Sequence, residues 1–304
     1  MDYAAAYDVF FAKPEREGPP PPAVSAPSPA RRLRDAVEPL AVQAIFSREA
    51  ADRYAELGLD NWLAAYVWQR VAGLGNPPAT LVVSVLGVFE PTAVAALYAE
   101  ARGALARDDV IETRLSAPAA TVRRLLGDLD AEAAPVVAVL RRGLAAADAT
   151  ARPLFAGLSG QPWPEDVVGQ LVHACDLLRE HRGDSHLAVC AVAGLDPVEM
   201  NVLTELYCGH PLLSYTVTRG WSPPQMADAV TRLRARGLLD GDALSDDGVA
   251  YRRDLEEQTD AMQQSVVDAI GPDLDPVVER LDVWSNLLVA LGGAPPDPAK
   301  RASG

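Results

Sequence analysis

The sequence predicts a mainly α protein in two parts, and three observations carry that prediction. Apolar residues make up 49% of the 304 residues while aromatics make up only 6%, with Ala and Leu dominant and alternating Val-rich runs scarce, a balance that favours helices over sheets. From Arg31 onward, segment after segment repeats its apolar residues at spacings of three and four, the period of a helix with one buried face. A Gly- and Pro-dense stretch, GLSGQPWPED at 157–166, punctuates a chain long enough for two cores.

In chain order, residues 1–29 contain EGPPPPAVSAPSPA, which lacks backbone donors for regular structure and reads as a disordered leader. A helical bundle follows over 30–157. Leu33, Val37, Leu40 and Ile45 share one face, with Pro39 expected to kink or divide the helix. Ser47 is placed to cap REAADRYAE, which stops at Gly58, and Asp60 to cap NWLAAYVWQRVAGLG. Two segments divide near Glu90-Pro91, and further helices are expected at 117–126 and 131–147. The second part, 158–292, opens with a helix or stacked pair over 165–192, expected to be interrupted at HRGDSH. Elements at 197–208, 211–219 and 222–236, two very short strands around Asp240-Gly241-Asp242 and a helix from about Asp247 complete the winged variant of a helix-turn-helix. Residues 293–304 read as a disordered tail.

Charge argues against ordinary DNA reading by this module. The net charge is −15, from 42 acidic and 27 basic residues, a surface that repels phosphate backbones and anionic membranes unless a local basic patch reverses the field. Between Asp196 and Asp260, twelve acids face six arginines. The leading end of the reader helix offers Pro223, Pro224, Gln225 and Asp228, where base-edge and phosphate donors are needed. Arg232, Arg234 and Arg236 fall at its trailing end, and the wing tip is Asp-Gly-Asp. Cys175, Cys190 and Cys208 have no CxxC spacing, so a disulfide framework is not expected and a reducing cytoplasm fits. The N-terminus lacks the cationic start of a signal peptide, and no apolar run reaches about 18 residues.

One polar cluster draws attention. LVHACDLLREHRGDSHLAVC holds His173, His181 and His186 beside Asp184. On an unbroken helix His181 and His186 lie about 140° apart, but a break at Gly183 would turn both rings and the Asp184 carboxylate toward one point. The cluster then reads as a ligand-binding or catalytic site, with the alternatives of a two-His-one-Asp metal site and of a capping and salt-bridge network at a helix junction. Arg70 falls on the apolar stripe with Tyr66 and reads either as an anchor paired with an acid or as an anion contact. Trp221 reads as a packing residue or a pocket floor. No GxSxG, GxGxxG or GxxxxGK[ST] run occurs, and the sequence names no cofactor.

The stretches RRLRDAVEPL, RPLFAG, PWPED, LLREHRGDSHLA, AGLDPVE, TRGWS and RLRARGLLD resemble an actinobacterial SalK-like family that joins a helical half to a MarR-like C-terminal winged helix. Where that pattern carries a histidine and a tyrosine after its first EP, this chain has Ala41 and Ile45. The resemblance implies a role in specialised metabolism, a small organic ligand and exit helices of a kind that pair into a homodimer. The expected function is therefore small-molecule binding, with or without catalysis, by a winged helix that does not bind DNA. His181, Asp184 and His186 are its candidate catalytic residues, and Arg70, Tyr66, Glu90, His173 and Trp221 its candidate ligand contacts. The competing expectations are a MarR-like ligand-responsive regulator and an accessory protein for a biosynthetic enzyme.

Overall fold

The computed structural model describes residues 2–12 and 27–302. It is mainly α, and the described residues form one two-stranded antiparallel sheet. The helical half comprises α1 (Tyr3–Phe11), α2 (Pro29–Ala41), α3 (Gln43–Phe46), α4 (Arg48–Glu56), α5 (Trp62–Val71), α6 (Ala79–Val85), α7 (Pro91–Ala104), α8 (Arg107–Leu126), α9 (Asp130–Ala145) and α10 (Pro153–Ser159). There follow α11 (Val167–Val192), α12 (Pro197–Tyr207), α13 (Pro223–Ala235), strands β1 (Leu239–Asp240) and β2 (Ala243–Leu244), α14 (Asp246–Ala261), α15 (Gln264–Ile270), α16 (Leu274–Ala290) and α17 (Pro298–Ala302).

Local chemistry sets most of these ends. The Ser47 hydroxyl accepts from the Ala50 amide at 3.0 Å to start α4, Glu90 caps α7 ahead of Pro91, and Asp196 with Glu199 closes a reciprocal capping box on α12. Asn61, rather than Asp60, occupies the N-cap of α5. Pro39 stays inside α2, and the chain divides three residues later at Val42. The element expected at 211–219 contracts to a turn and a 3-10 helix at Thr216–Arg219. There Leu213 takes φ +66°, and the buried Glu205 carboxylate accepts from the amides of Leu213, Tyr215 and Thr216. The wing closes with Leu239 opposite Leu244 and Asp240 opposite Ala243.

Helix α11 runs unbroken for 26 residues, about 39 Å, so the expected interruption at HRGDSH is absent. A single mid-helix glycine costs only about 1 kcal/mol, which the burial of Leu171, Val172, Leu177 and Leu178 on the same helix outweighs. The N-terminal portion of α11 lies in a core built from α2, α8, α9, α15 and α16. Its Val189 and Cys190 lie in the core of the winged module. The cores therefore do not divide at 157/158: residues 266–288 pack with residues 30–41 and 133–144.

The chain ends also differ from expectation. Residues 3–11 form a helix because Phe10 and Phe11 supply apolar area that Phe46 and Trp62 cover, with Tyr7 stacked on Phe11. The Tyr3 hydroxyl donates to the Phe46 carbonyl at 2.8 Å. Ala294 and Ala299 are buried, and Lys300 Nζ donates to the Val9 carbonyl at 2.7 Å, joining the two ends. Most of the proline-rich stretch lies outside the described residues.

Candidate functional site

A cavity of about 190 Å³ lies between the helical half and the winged module. Its lining carries Arg34 and Glu38 from α2, Tyr66 and Arg70 from α5, Arg179, Arg182, Asp184 and His186 from α11, Arg219 from the 3-10 turn, Arg252 and Glu256 from α14, and Lys300 and Arg301 from α17. Eight cationic side chains thus meet three acidic ones, in a chain whose net charge is −15. Apolar walls come from Phe10, Ile45, Phe46, Trp62, Leu86, Phe89 and Leu154.

The cations are held by a graded set of acids. Glu180, behind the lining, takes Arg70 through two bonds, Nε at 2.9 Å and Nη2 at 2.5 Å, and Arg114 at 3.2 Å. Burial opposes its ionisation, but Arg70, Arg114 and Arg179 outweigh that and hold the carboxyl at about 2. Arg70 gives its Nη1 to the Tyr66 hydroxyl at 3.1 Å, so each of its three nitrogens has a partner inside the protein. Burial would raise the Tyr66 phenol, yet Arg70, Arg219 and Arg179 together lower it. On the other side Glu256 binds Arg31, Arg182 and Arg252.

Asp184 and His186 stand on the cavity wall in different states. Burial, aided by the Glu180 charge one turn earlier, raises the Asp184 carboxyl to about 7 although its Oδ2 accepts from the Phe155 amide at 2.9 Å. Burial and the nearby Arg252 lower His186 to about 3, so its ring is neutral. The tautomer follows from the neighbours: Thr259 donates its hydroxyl proton to the Leu255 carbonyl at 2.7 Å and accepts from His186 Nδ1 at 3.1 Å. Nε2 is then an acceptor facing the Cys190 thiol at 3.6 Å.

The other predicted residues serve the framework. His181 points away from the cavity, its Nδ1 donating to Gln263 Oε1 at 2.6 Å and its ring edge-on to Phe155. The convergence of His181, Asp184 and His186 therefore does not occur, because the unbroken helix keeps the two imidazoles on different faces. Among the described residues no group of three or more His, Cys, Asp or Glu is placed to hold a metal ion. His173 is buried under Trp163, and burial lowers it to about 4. Glu90 caps α7 through the Ala93 amide. Trp221 donates its indole N–H to the Val88 carbonyl at 3.0 Å, beside the Asn201 amide at 2.7 Å on the same oxygen, and so straps the winged module to the turn after α6. Only Tyr66, Arg70, Asp184 and His186 of the candidates reach the cavity. Arg179, Arg182 and Arg252 were missed, although Arg179, Arg182, Gly183 and His186 form an i, i+3, i+4, i+7 stripe that an unbroken helix would have exposed.

In the winged module the arginines at the C-terminal end of α13 and its cap are engaged. Arg232 binds Asp196 and Glu199, Arg234 reaches the Gly241 carbonyl and Asp242, and Arg236 reaches Glu199 and the Tyr251 hydroxyl.

A helix-turn-helix with a two-stranded wing, built onto a helical half that shares its central helix, defines a mainly α helix-turn-helix protein with a cation-lined cavity. The chain belongs to a helix-turn-helix family, whose model matches residues 30–295. Comparison with curated proteins and with solved structures found no match. Among the described residues no single helix is long and apolar enough to cross a membrane.

Proposed function

We propose that the protein binds a small organic anion between its two halves, and that its winged module is a wall of that site rather than a reader of DNA. The observation that carries this reading is the inversion of charge: a strongly acidic chain lines its cavity with an excess of guanidinium groups, an arrangement that concentrates an anion where long-range repulsion disfavours it. Desolvated arginines beside aromatic walls suit an organic acid. Engagement of Arg232, Arg234 and Arg236 by acids and carbonyls supports the absence of DNA reading. The anion contact assigned to Arg70 passes to Arg179, because Arg70 is consumed by Glu180 and Tyr66. Asp184, held at about 7, is the group able to exchange a proton with a bound molecule. The SalK-like resemblance supports a place in actinobacterial specialised metabolism. Thermal-shift measurements with a panel of aliphatic and aromatic carboxylic acids test the reading, alongside fluorescence anisotropy with promoter DNA at low salt. Stabilisation by acids with no anisotropy change is expected. No acid raising the melting temperature would sink the binding reading, and a salt-sensitive DNA complex would replace it with a regulator.

A further inference from the structure

Resting on that reading of the cavity, we infer that the ligand is an elongated carboxylic acid whose apolar body lies across Gly183, with its carboxylate at the Arg179–Arg219 end. Helix α11 turns Arg179, Arg182, Gly183, His186 and Leu187 to the cavity, successive positions of one helical face. Arg179 and His186 are seven residues apart, about 10.5 Å along the axis. Gly183 sits midway between these ends. Glycine inside a helix costs about 0.5–1 kcal/mol relative to alanine, and neither of its usual justifications applies here. Its φ is not positive, and a Cβ built on it meets no atom within 4 Å. Gly183 is exposed and lines the cavity, and no neighbour requires a glycine there, so its missing side chain leaves open space at the cavity wall where a ligand can lie against the helix backbone.

The polar end is assigned from the guanidinium groups of Arg179 and Arg219. Arg179 makes one bond, Nε to Glu38 at 3.3 Å, leaving its Nη1 and Nη2 without hydrogen bonds to the described residues. Arg219 is matched by no carboxylate among the described residues. It donates to the Tyr215 hydroxyl and stacks on Phe89 and Tyr215 at 4.8 and 4.3 Å. With Arg70 balanced by Glu180 and Arg179 by Glu38, one uncompensated positive charge remains at this end. That charge is met by a monoanion whose two oxygens suit the fork of Arg179. Leu86 and Leu154 also line the cavity and offer apolar wall for the body.

The test is isothermal titration of the full-length protein with butanoate, octanoate and dodecanoate. Wild type should bind octanoate at least tenfold more tightly than butanoate, from the methylene groups buried along that wall. Gly183→Phe should lose at least tenfold in octanoate affinity while butanoate, held by its head alone, is unchanged. Arg179→Gln should weaken both. Should Gly183→Phe fail to fold, Gly183→Ala serves: its melting temperature should equal or exceed wild type, and the added methyl should lower octanoate affinity about threefold. Octanoate binding unchanged in both Gly183 variants would overturn the inference and leave the cavity reading standing. Wild type binding none of the three acids, with no acid of the wider panel raising its melting temperature, would overturn both.

Discussion

Glu180 is 1% exposed and carries its charge among arginines, so its worth is set by what its removal would strand. Glu180→Gln leaves Arg70 and Arg114 facing each other with only Asp176 in reserve. Loss of one partner from a buried ion pair costs about 3–5 kcal/mol, and urea denaturation of the variant should show a loss in that range. Asp184 has the opposite character. Its folded pKa of about 7 lies above the unfolded value, so between about pH 4 and 7 the folded state holds a proton that the unfolded state has released. Its contribution therefore falls as pH rises through that window and is fully unfavourable above it. Asp184→Asn should shrink the stability difference between pH 5 and pH 8 by on the order of 2 to 3 kcal/mol. In wild type an anionic ligand should bind more weakly as pH passes 7, because Asp184 becomes charged beside it; a titration unaffected by pH in wild type would contradict this. Four of the side chains that line the cavity, Tyr66, Arg70, Asp184 and His186, were legible from the sequence as residues of interest, but their roles were not. Whether Arg70 faces an acid or a ligand depends on Glu180, 110 residues away, and no local pattern carries that pairing.

At the scale of elements, the readable signals were those fixed within a few residues. The Ser47 cap and the Asp-Gly-Asp wing appear where local chemistry places them, and the structure adds the Asp196–Glu199 box on α12. Asp196 also receives Arg232, so Asp196→Ala removes a cap and a counter-charge together. A loss of about 1–2 kcal/mol is expected, read as a lower melting temperature with the same far-UV spectrum. The errors have a shared cause. Gly183 was weighed as a local breaker, whereas the continuity of α11 comes from its burial against helices on both sides in sequence. The terminal helices were hidden for the same reason: a proline-rich context masks a short aromatic helix whose stability comes from Phe46 and Trp62.

For the whole molecule, the shared helix has a mechanical meaning. Because α15 and α16 return to pack on α2 and α9, a fragment comprising residues 158–304 would expose the face that Leu33, Val37 and Leu140 cover. It should lack a cooperative thermal transition, while the full chain unfolds in one step; a fragment with its own sharp transition would show that the winged module is autonomous. The separation of an acid-rich exterior from a cation-rich interior also governs how fast a ligand arrives. An approaching anion first climbs a repulsive field that extends about one Debye length, roughly 10 Å at 0.1 M salt, before it meets the guanidinium groups. Added electrolyte flattens that barrier more than it weakens the sheltered contacts within. Stopped-flow association should therefore accelerate with ionic strength, the reverse of what a protein steered toward a polyanion displays.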